Sequence, residues 1–541
     1  MKDISSTGSF IDFTLENYIY VDKTEYIPKL VKLKRVFISR PRRFGKSLTL
    51  DTIATLFETG VEPYFKGTWI YDKWTEPTYP VFRLSFLNLD NSSMDLFKKQ
   101  LNSKITEFAN KISVKGYVEK TEPEDSILSL LEKLEEETRQ IVILIDEYDY
   151  QLTSNINNDE LYKQFQQKIK RIYANIKDKF AIKFLGITGV TRLKDVAIFS
   201  VGSDIRDITN SSAYSQMIGF TRDEIKKFYI DYLKLAASYE NNCSVDDVTD
   251  TQIESLLDRL AQNYDGYCFD EFYKKKVFST WSVNSFFQSI VENKFVFFDE
   301  YWYDNGGLPS ILVNYLKTHE LNIFEYLDKD KFLKVSSDDF KNPTALTTIN
   351  QNVLMCQTGY LTLRSDLKKS STVLLGIPNG EIYKALNRLL ANNIFKGKAD
   401  VTDDQGKNLL EEGTVDDIIN LFNSALNSVS YDNYPIVSES SVQNMLKLYL
   451  LGAHQEVLSE VHEAKGRADL IVNTDIRRIV FEFKYAQNES EAKTKLSEAV
   501  EQIKSRDYGN ILPKKHELLR IAAVLNADPK VRAFTENQIV P

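Results

Sequence analysis

The stretch "ISRPRRFGKSLTL", Ile38 to Leu50, decides how the first third of the chain folds. Phe44-Gly45-Lys46-Ser47 is the second half of the phosphate-loop pattern G-x-x-x-x-G-K-[ST]. The first glycine of that pattern is missing. Position 40 is Arg40, followed by Pro41, Arg42 and Arg43. A phosphate loop aims backbone N–H groups and a helix N-terminus at phosphate oxygens. Its lysine reaches the terminal phosphates and its hydroxyl ligates Mg2+. Gly45, Lys46 and Ser47 supply those parts, and Arg40, Arg42 and Arg43 add positive charge near the phosphates. The context is also right. "RVFIS" (Arg35–Ser39) reads as a buried strand, and Leu50, Ile53, Ala54 and Phe57 have the spacing of one helical face. Taken alone, the half motif is equally well a basic turn with a chance G-K-S.

"IVILIDEYD" (Ile141–Asp149) tips the balance. It places Asp146 and Glu147 at the end of an apolar strand, where ligands bind in doubly wound sheets. Asp146 can hold Mg2+ together with Ser47, and Glu147 can orient and deprotonate an attacking water. A further strand, "IKFLGIT", ends at Thr188, which could touch the terminal phosphate, with Arg192 as a sensor beyond it. For these two, a strand-end hydroxyl and a surface arginine are equally good readings. With "VFRLSF" (Val81–Phe86), these continuous apolar runs predict an α/β fold with a parallel sheet covered on both faces.

The whole chain has 541 residues, too many for one core. It is 43% hydrophobic and 27% charged, which makes it globular rather than disordered. Cys243, Cys268 and Cys356 are far apart and form no metal or disulfide framework. His319, His454, His462 and His516 contain no zinc spacing. No apolar run is long enough to span a membrane, and "MKDISSTGSF" lacks the apolar core of a secretory signal, so a cytoplasmic protein is expected. The net charge of −9 excludes a generally basic nucleic-acid binder, so any such contact must be local. Thr221 and Glu224 form a capping-box pattern that opens a mostly helical stretch. "YDNYP" (Tyr431–Pro435) marks a second boundary. Three parts are expected: residues 1–220, 221–430 and 431–541.

Several separate motifs now stand together: "YVDKTEYIPKL", "SRPRRFGKSLTLDTI", "LIDEYD", "GITGVTR", "YDGYCF", "WSVNSFF" and "LMCQTGYLTLR". Over about the first 360 residues this resembles the bacterial AAA-ATPase-like family, which carries R-P-R-R-F-G-K-[ST] in place of the ordinary loop. The resemblance implies ATP as the nucleotide. It also implies a P-loop NTPase sheet with Arg42, Arg43, Phe44, Gly45, Lys46, Ser47 and Thr188 around the phosphates, then a helical region with room for a winged helix.

The last part holds "GRADLIVNTDIRRIVFEFKYA" (Gly466–Ala486). Glu482 and Lys484 are two apart on a strand and share a face, while Phe481 and Phe483 point to the other. If Asn473 pairs with Arg478 across a four-residue turn, Asp469 falls opposite Glu482 on that same face. One hairpin would then gather two oxygen ligands for Mg2+ and a lysine to act on water. The alternative is an amphipathic hairpin with a charged outer face. Helical patterns flank the hairpin, one with Val442, Met445, Leu446 and Tyr449 on one side, the other in "SEAVEQIKSRDY". With G-R-A-D and E-F-K, this is similar to the PD-(D/E)xK nuclease superfamily over about the last 110 residues, although Ala468 replaces the proline before Asp469. The similarity implies a restriction-endonuclease-like α/β domain in which Asp469 and Glu482 bind Mg2+ or Mn2+ and Lys484 acts on water. Glu439, with Glu460 as rival, is then an extra ligand, and Gln502 lines the site.

Together these readings describe an ATPase joined to a metal-dependent nuclease that acts on nucleic acid, DNA before RNA, with no membrane partner and with homo-oligomers left open. The rival reading is a nucleotide-switched interaction protein whose nuclease fold only binds.

Overall fold

Arg35–Ser39 form β1, buried at all of its positions, and everything that positions the phosphate loop starts from this strand. The coordinates are a computed structural model that describes residues 1–193, 204–304, 310–316, 319, 323–343, 345–395, 403–431, 433–453, 455–463, 466–508 and 517–541. The chain divides into two units, Met1–Leu321 with Asp330–Ile382, and Asn322–Lys329 with Tyr383–Pro541.

In the first unit, β1 joins β2 (Val81–Ser85), β3 (Ile141–Asp146), β4 (Ile182–Gly189) and β5 (Arg206–Asp207). Their order is β2-β3-β4-β1-β5 and every pair is parallel. Phe37, Ile141, Val142, Phe184 and Leu185 are fully buried. Continuous burial, rather than alternation, follows from helices covering both faces. Each such side chain contributes about 1.5–3 kcal/mol. After β1 the chain passes through the helix Lys46–Thr59, crosses to β2 at the far edge, and returns through β3 and β4 to β1's side. β5 then adds on the other side of β1. The direction of winding thus reverses at β1, and a crevice forms outside the carboxyl ends of such strands. With only two residues, β5 leaves no pattern that sequence reading could find.

Thr221 caps the helix Arg222–Phe228 with the reciprocal bonds of a capping box. The helices Ile230–Asn241, Asp250–Tyr264 and Thr280–Asn293 then share a core around Leu233, Leu257, Phe286 and Phe287. Beyond them lies a small antiparallel sheet, β6 (Leu333–Ser336), β7 (Thr362–Leu363) and β8 (Thr372–Gly376), in the order β6-β8-β7.

The second unit is built on a mixed sheet of β9 (Glu456–Glu463), β10 (Gly466–Asn473), β11 (Arg477–Ala486), β12 (Glu517–Asn526) and β13 (Ala533–Ile539). Their order is β13-β12-β11-β10-β9, with β11 and β12 parallel through the helix Glu489–Arg506 and the other pairs antiparallel. One face carries Ile471, Val480 and Ala522 against Ala499, Val500 and Ile503 of that helix. The other carries Phe481 and Phe483, whose rings lie 5.3 and 6.4 Å from that of Phe422 in the helix Val415–Leu426. The sequence pattern of helix, hairpin, helix and strand omits β9 and β13, because "EVLSEVHE" and "AFTENQI" mix charged and apolar residues without a clear period. No described helix is long and apolar enough to cross a membrane.

Candidate active sites

Gly45 begins the helix Lys46–Thr59 at φ +95°. A Cβ there would meet no atom within 4 Å, so backbone conformation rather than space selects glycine. Lys46 is buried, and its Nζ donates to the carbonyls of Arg40 (3.0 Å) and Pro41 (2.9 Å). Burial lowers its pKa, opposed by the negative charge of Asp146, Glu147 and Asp149. The lysine is thus a cation held by weak acceptors, which an anionic ligand would outbid as a partner.

Because β3, β4 and β1 lie side by side, their carboxyl ends meet. Asp146 at the end of β3 accepts from Ser47 Oγ at 2.5 Å and from Thr188 Oγ1 at the tip of β4. Glu147 follows with φ +50°, a strained conformation for a residue with a side chain. Burial and the charge of Asp146 raise its pKa, and Lys46 and Arg42 oppose them. Its buried Oε2 has no hydrogen-bond partner among the described residues. Asp149, which sequence reading left without a role, accepts from the N–H of Val190 and from the N–H and hydroxyl of Thr191. It therefore ties the exit of β3 to the exit of β4 and fixes the turn bearing Glu147. Hydroxyl and carboxylate oxygens are the donors that Mg2+ prefers, so Ser47 and Asp146 fit that ion.

A cavity of about 470 Å3 opens above the loop. Its lining includes Arg42 to Thr49 and Glu147 as well as the apolar Ile27, Leu30, Met217 and Ile218. A mostly apolar cavity with a few anion-binding polar groups suits a nucleotide. Arg192 is not among the lining groups. It pairs with Asp207 and lines a separate small cavity with Arg40 and Pro41.

The missing glycine has a structural explanation. Arg40 is only 1% exposed. Its guanidinium donates to Thr209 O (2.7 Å) and Ser39 O (2.8 Å) and lies 4.0 Å from the Phe269 ring centroid. Burial draws its pKa down to about 9. The expectation that Arg40 adds charge near the phosphates is therefore corrected: backbone carbonyls and an aromatic ring hold it inside the protein. Pro41 abuts Gly359, where an added Cβ would come within 2.9 Å of it at φ +96°. Arg43, at φ +68°, lies 4.2 Å from the Trp281 centroid, and its carbonyl accepts from Thr280 Oγ1 at 2.9 Å. Phe44 packs edge-on to Tyr267 and Phe269, so only its main chain can serve a ligand. Behind this shell, buried Glu381 accepts from Ser282 Oγ and Trp302 N–H, both at 2.7 Å, and burial pushes its carboxyl up to about 8.

In the second unit the hairpin has Asn473 opposite Arg478 and Leu470 opposite Phe481, the register that the spacing predicts. Asp469 Oδ2 accepts the N–H of Phe483 at 2.8 Å. Lys484 Nζ donates to Glu482 Oε1 (2.8 Å) and reaches Glu439 Oε1 (3.3 Å) at the start of the helix Glu439–Gly452. Burial and the charge of Asp469 raise the Glu482 carboxyl to about 7, against the pull of Lys484. Burial likewise raises Asp469, opposed by the Phe483 N–H. Lys484 loses from burial but gains more from its bond to Glu482 and from Glu439, so its pKa is raised. Gln443, one turn after Glu439, helps to lower the Asp469 carboxyl pKa and was legible only as the i+4 neighbour of Glu439. Gln502 bonds the Tyr508 hydroxyl at 3.4 Å rather than a carboxylate. Glu460 falls in β9, and its side chain lies outside the described residues. Glu482 Oε2 is buried without a hydrogen-bond partner among the described residues. That orphan oxygen beside Asp469 fits a divalent cation, although no group of three His, Cys, Asp or Glu among the described residues forms a ready cage. Two carboxylates, with water and substrate oxygens completing the shell, are the manner in which Mg2+ is held.

Two outcomes follow for the braced loop. Arg40→Gly, which restores the ordinary motif, should lower both thermal stability and ATP affinity, because the Thr209 carbonyl and the Phe269 face lose their partner; thermal shift and calorimetry read this. Glu381→Gln should flatten the pH dependence of stability. The native pKa near 8 exceeds the ordinary 4.5, so this group's contribution is complete below about 4.5 and is lost as pH rises through about 8. Denaturant unfolding between pH 4.5 and 8.5 should show the parent falling more steeply than the variant.

Residues 5–199 match the family model described as predicted AAA-ATPase, and residues 437–534 match that of the PD-(D/E)XK nuclease superfamily. The chain is 26% identical over 524 residues to an uncharacterized protein in the vnfD 5′ region of Azotobacter chroococcum mcd 1, covering 94% of this chain and 93% of that one. Among solved structures it is similar to Cdc6p from Pyrobaculum aerophilum, with a TM-score of 0.24 and 11% identity over 69% of this chain and 96% of that one, a likeness too slight to carry weight. The chain thus carries two separate matches, the first over the segment that holds the phosphate loop and the second over the segment that holds the hairpin.

Proposed function

We propose that the chain binds and hydrolyses ATP and couples this to a Mg2+-dependent nuclease that acts on nucleic acid, with DNA as the favoured substrate. The observation that carries the ATPase half is the meeting of Ser47 and Asp146 at 2.5 Å beside a cavity whose floor is the phosphate loop. In this reading, residues 1–220 form the ATPase part, 221–430 a helical middle region and 431–541 the nuclease part. Lys46 leaves the loop carbonyls for the phosphates, and Arg42 adds charge. Ser47 and Asp146 hold Mg2+, which supplies charge neutralisation when bound. Glu147, with its raised pKa, takes the proton of the attacking water. Thr188 holds Asp146 in place.

In the C-terminal unit, Asp469 and Glu482 hold the metal, which supplies Lewis-acid stabilisation when bound. Lys484 stands beside the developing charge, and Glu439 steadies Lys484. The process that suits such a pairing, defence against foreign DNA or mobile-element biology in the cytoplasm, is an analogy only. A second reading has one observation in its favour. Lys484 is already ion-paired to Glu482 and Glu439, as in a structural cluster, and an inactive nuclease fold would then serve as a nucleotide-switched binding module. Plasmid nicking that needs added Mg2+ or Mn2+ and stops with EDTA decides for the enzyme.

Lys46→Ala should weaken ATP binding about ten- to a hundredfold, because a charge-assisted bond is worth about 1.5–3 kcal/mol. Glu147→Gln should keep that affinity and lose about 10²–10⁴ in turnover. Calorimetry and a phosphate-release assay read the two, and parental turnover in Glu147→Gln would place the base elsewhere.

The two sites are chemically independent. Asp469→Ala should weaken Mn2+ binding and abolish cleavage, and Lys484→Ala should keep the metal but slow cleavage. Both should leave ATP hydrolysis near the parental rate. Metal-dependent cleavage by both variants at the parental rate would make the binding-module reading the better one.

A further inference from the structure

The proposed cleavage site has a charge problem. Among the described residues, Lys484 is the cation that ion-pairs with Glu482 and Glu439 beside Asp469, and a phosphodiester approaching them brings a further negative charge. A metal offsets part of this, and the helix packed on the sheet offers one more cation.

Asp469, Glu482 and Lys484 share the sheet face that carries Ile471 and Val480, by strand alternation and register. The helix Glu489–Arg506 packs on that face through Ala499, Val500 and Ile503, with Tyr508 in the same cluster. Its last residue, Arg506, is exposed and lies within electrostatic reach of Glu482 and Asp469. The guanidinium is not loose. Arg506 Nη1 donates to Tyr508 Oη at 2.9 Å, and Gln502 Nε2 reaches the same hydroxyl at 3.4 Å. Tyr508 is fully buried, and its carbonyl accepts from Arg520 Nε at 2.7 Å while Arg520 Nη2 pairs with Asp507 at 2.6 Å. The turn after the helix is thereby clamped, and Arg506 is tied to it through Tyr508. Among the described residues no carboxylate pairs with Arg506 within 4 Å, so further N–H donors of the fork are left for a ligand.

We propose that Arg506 grips a phosphate oxygen of the nucleic-acid backbone at the C-terminal site, with the Tyr508 hydroxyl and Gln502 holding the guanidinium in position. The inference rests on the nuclease reading. Guanidinium matches phosphate geometry with paired donors, which an ammonium does not. It also gives Gln502, which bonds no carboxylate among the described residues, a role through Tyr508. The competing reading is a cation that merely favours the helix C-terminus. Lys504 sits in the same last turn and is the control for it.

The test uses the full chain with Mn2+ and a labelled DNA strand, comparing the parent with Arg506→Ala, Arg506→Lys, Tyr508→Phe and Lys504→Ala. Cleavage rate, DNA affinity across a salt series, Mn2+ affinity and melting temperature are measured. Arg506→Ala should lose about ten- to a hundredfold in kcat/KM, as expected for a bond to a charged group. Its log-log salt slope for binding should fall by about one phosphate contact. Arg506→Lys should regain the salt slope but only part of the rate. Tyr508→Phe should lose rate with the slope retained. Lys504→Ala should match the parent, and Mn2+ affinity should not weaken in Arg506→Ala. Parental rate and slope in Arg506→Ala, or equal losses in Lys504→Ala, would overturn the grip while leaving the nuclease reading intact. A parent that neither binds nor cuts the strand, or an RNA counterpart, would overturn both.

Discussion

A chain leaving β1 for the phosphate loop must turn sharply, and here it does so without the glycine that normally permits the turn. The rest of the first unit depends on how that constraint is met. Positions 40, 41, 43 and 44 are held from outside: Arg40 by the Thr209 carbonyl and Phe269, Pro41 by Gly359, Arg43 by Trp281 and Thr280, Phe44 by Tyr267. In an ordinary loop the first glycine makes the turn by its own backbone freedom. This one is shaped by contacts from residues 209 to 359, so its geometry is tied to the helices and turns that supply them. Movement of any one of those segments would reach Lys46 through the carbonyls of Arg40 and Pro41 that hold it.

The second unit meets a different constraint. Glu482 is fully buried in a strand whose next face is a phenylalanine core, and its carboxyl is raised to about 7. Such a group is costly to bury unless something uses its charge. Lys484 satisfies one oxygen and the other has no described partner. The same arrangement that makes the carboxylate costly to bury suits it to a cation. In both units a buried charge with poor partners stands where a ligand of opposite sign would bind: Lys46 for phosphate, Glu482 for metal.

The elements that were legible in the sequence are those whose signals are local. β1, β3 and β4 read as apolar runs, Gly45-Lys46-Ser47 as a motif, and the pairing of Asn473 with Arg478 as simple period-two arithmetic. What was not legible depends on distant partners. Arg40 looked like a phosphate-facing charge because nothing near it in sequence shows that Thr209 and Phe269 enclose it. Thr280 and Arg43 are 237 positions apart, a separation that no window of pattern reading spans. Gln443 needed only the i+4 rule from Glu439, but a glutamine gives no reason to look until Asp469 is placed beside it. The short β5 and the mixed β9 and β13 pair through backbone hydrogen bonds in a sheet whose core other strands supply, so their own sequences need carry little pattern.

The central claim is that an externally braced loop without its first glycine still cradles a triphosphate. The most direct test is the structure of the chain bound to Mg2+ and a non-hydrolysable ATP analogue. The account predicts that Lys46 Nζ leaves the Arg40 and Pro41 carbonyls for the terminal phosphates, that Ser47 and Asp146 flank the ion, and that Arg40 and Phe44 stay where they are. Phosphates bound elsewhere, with Lys46 still on the loop carbonyls, would contradict it.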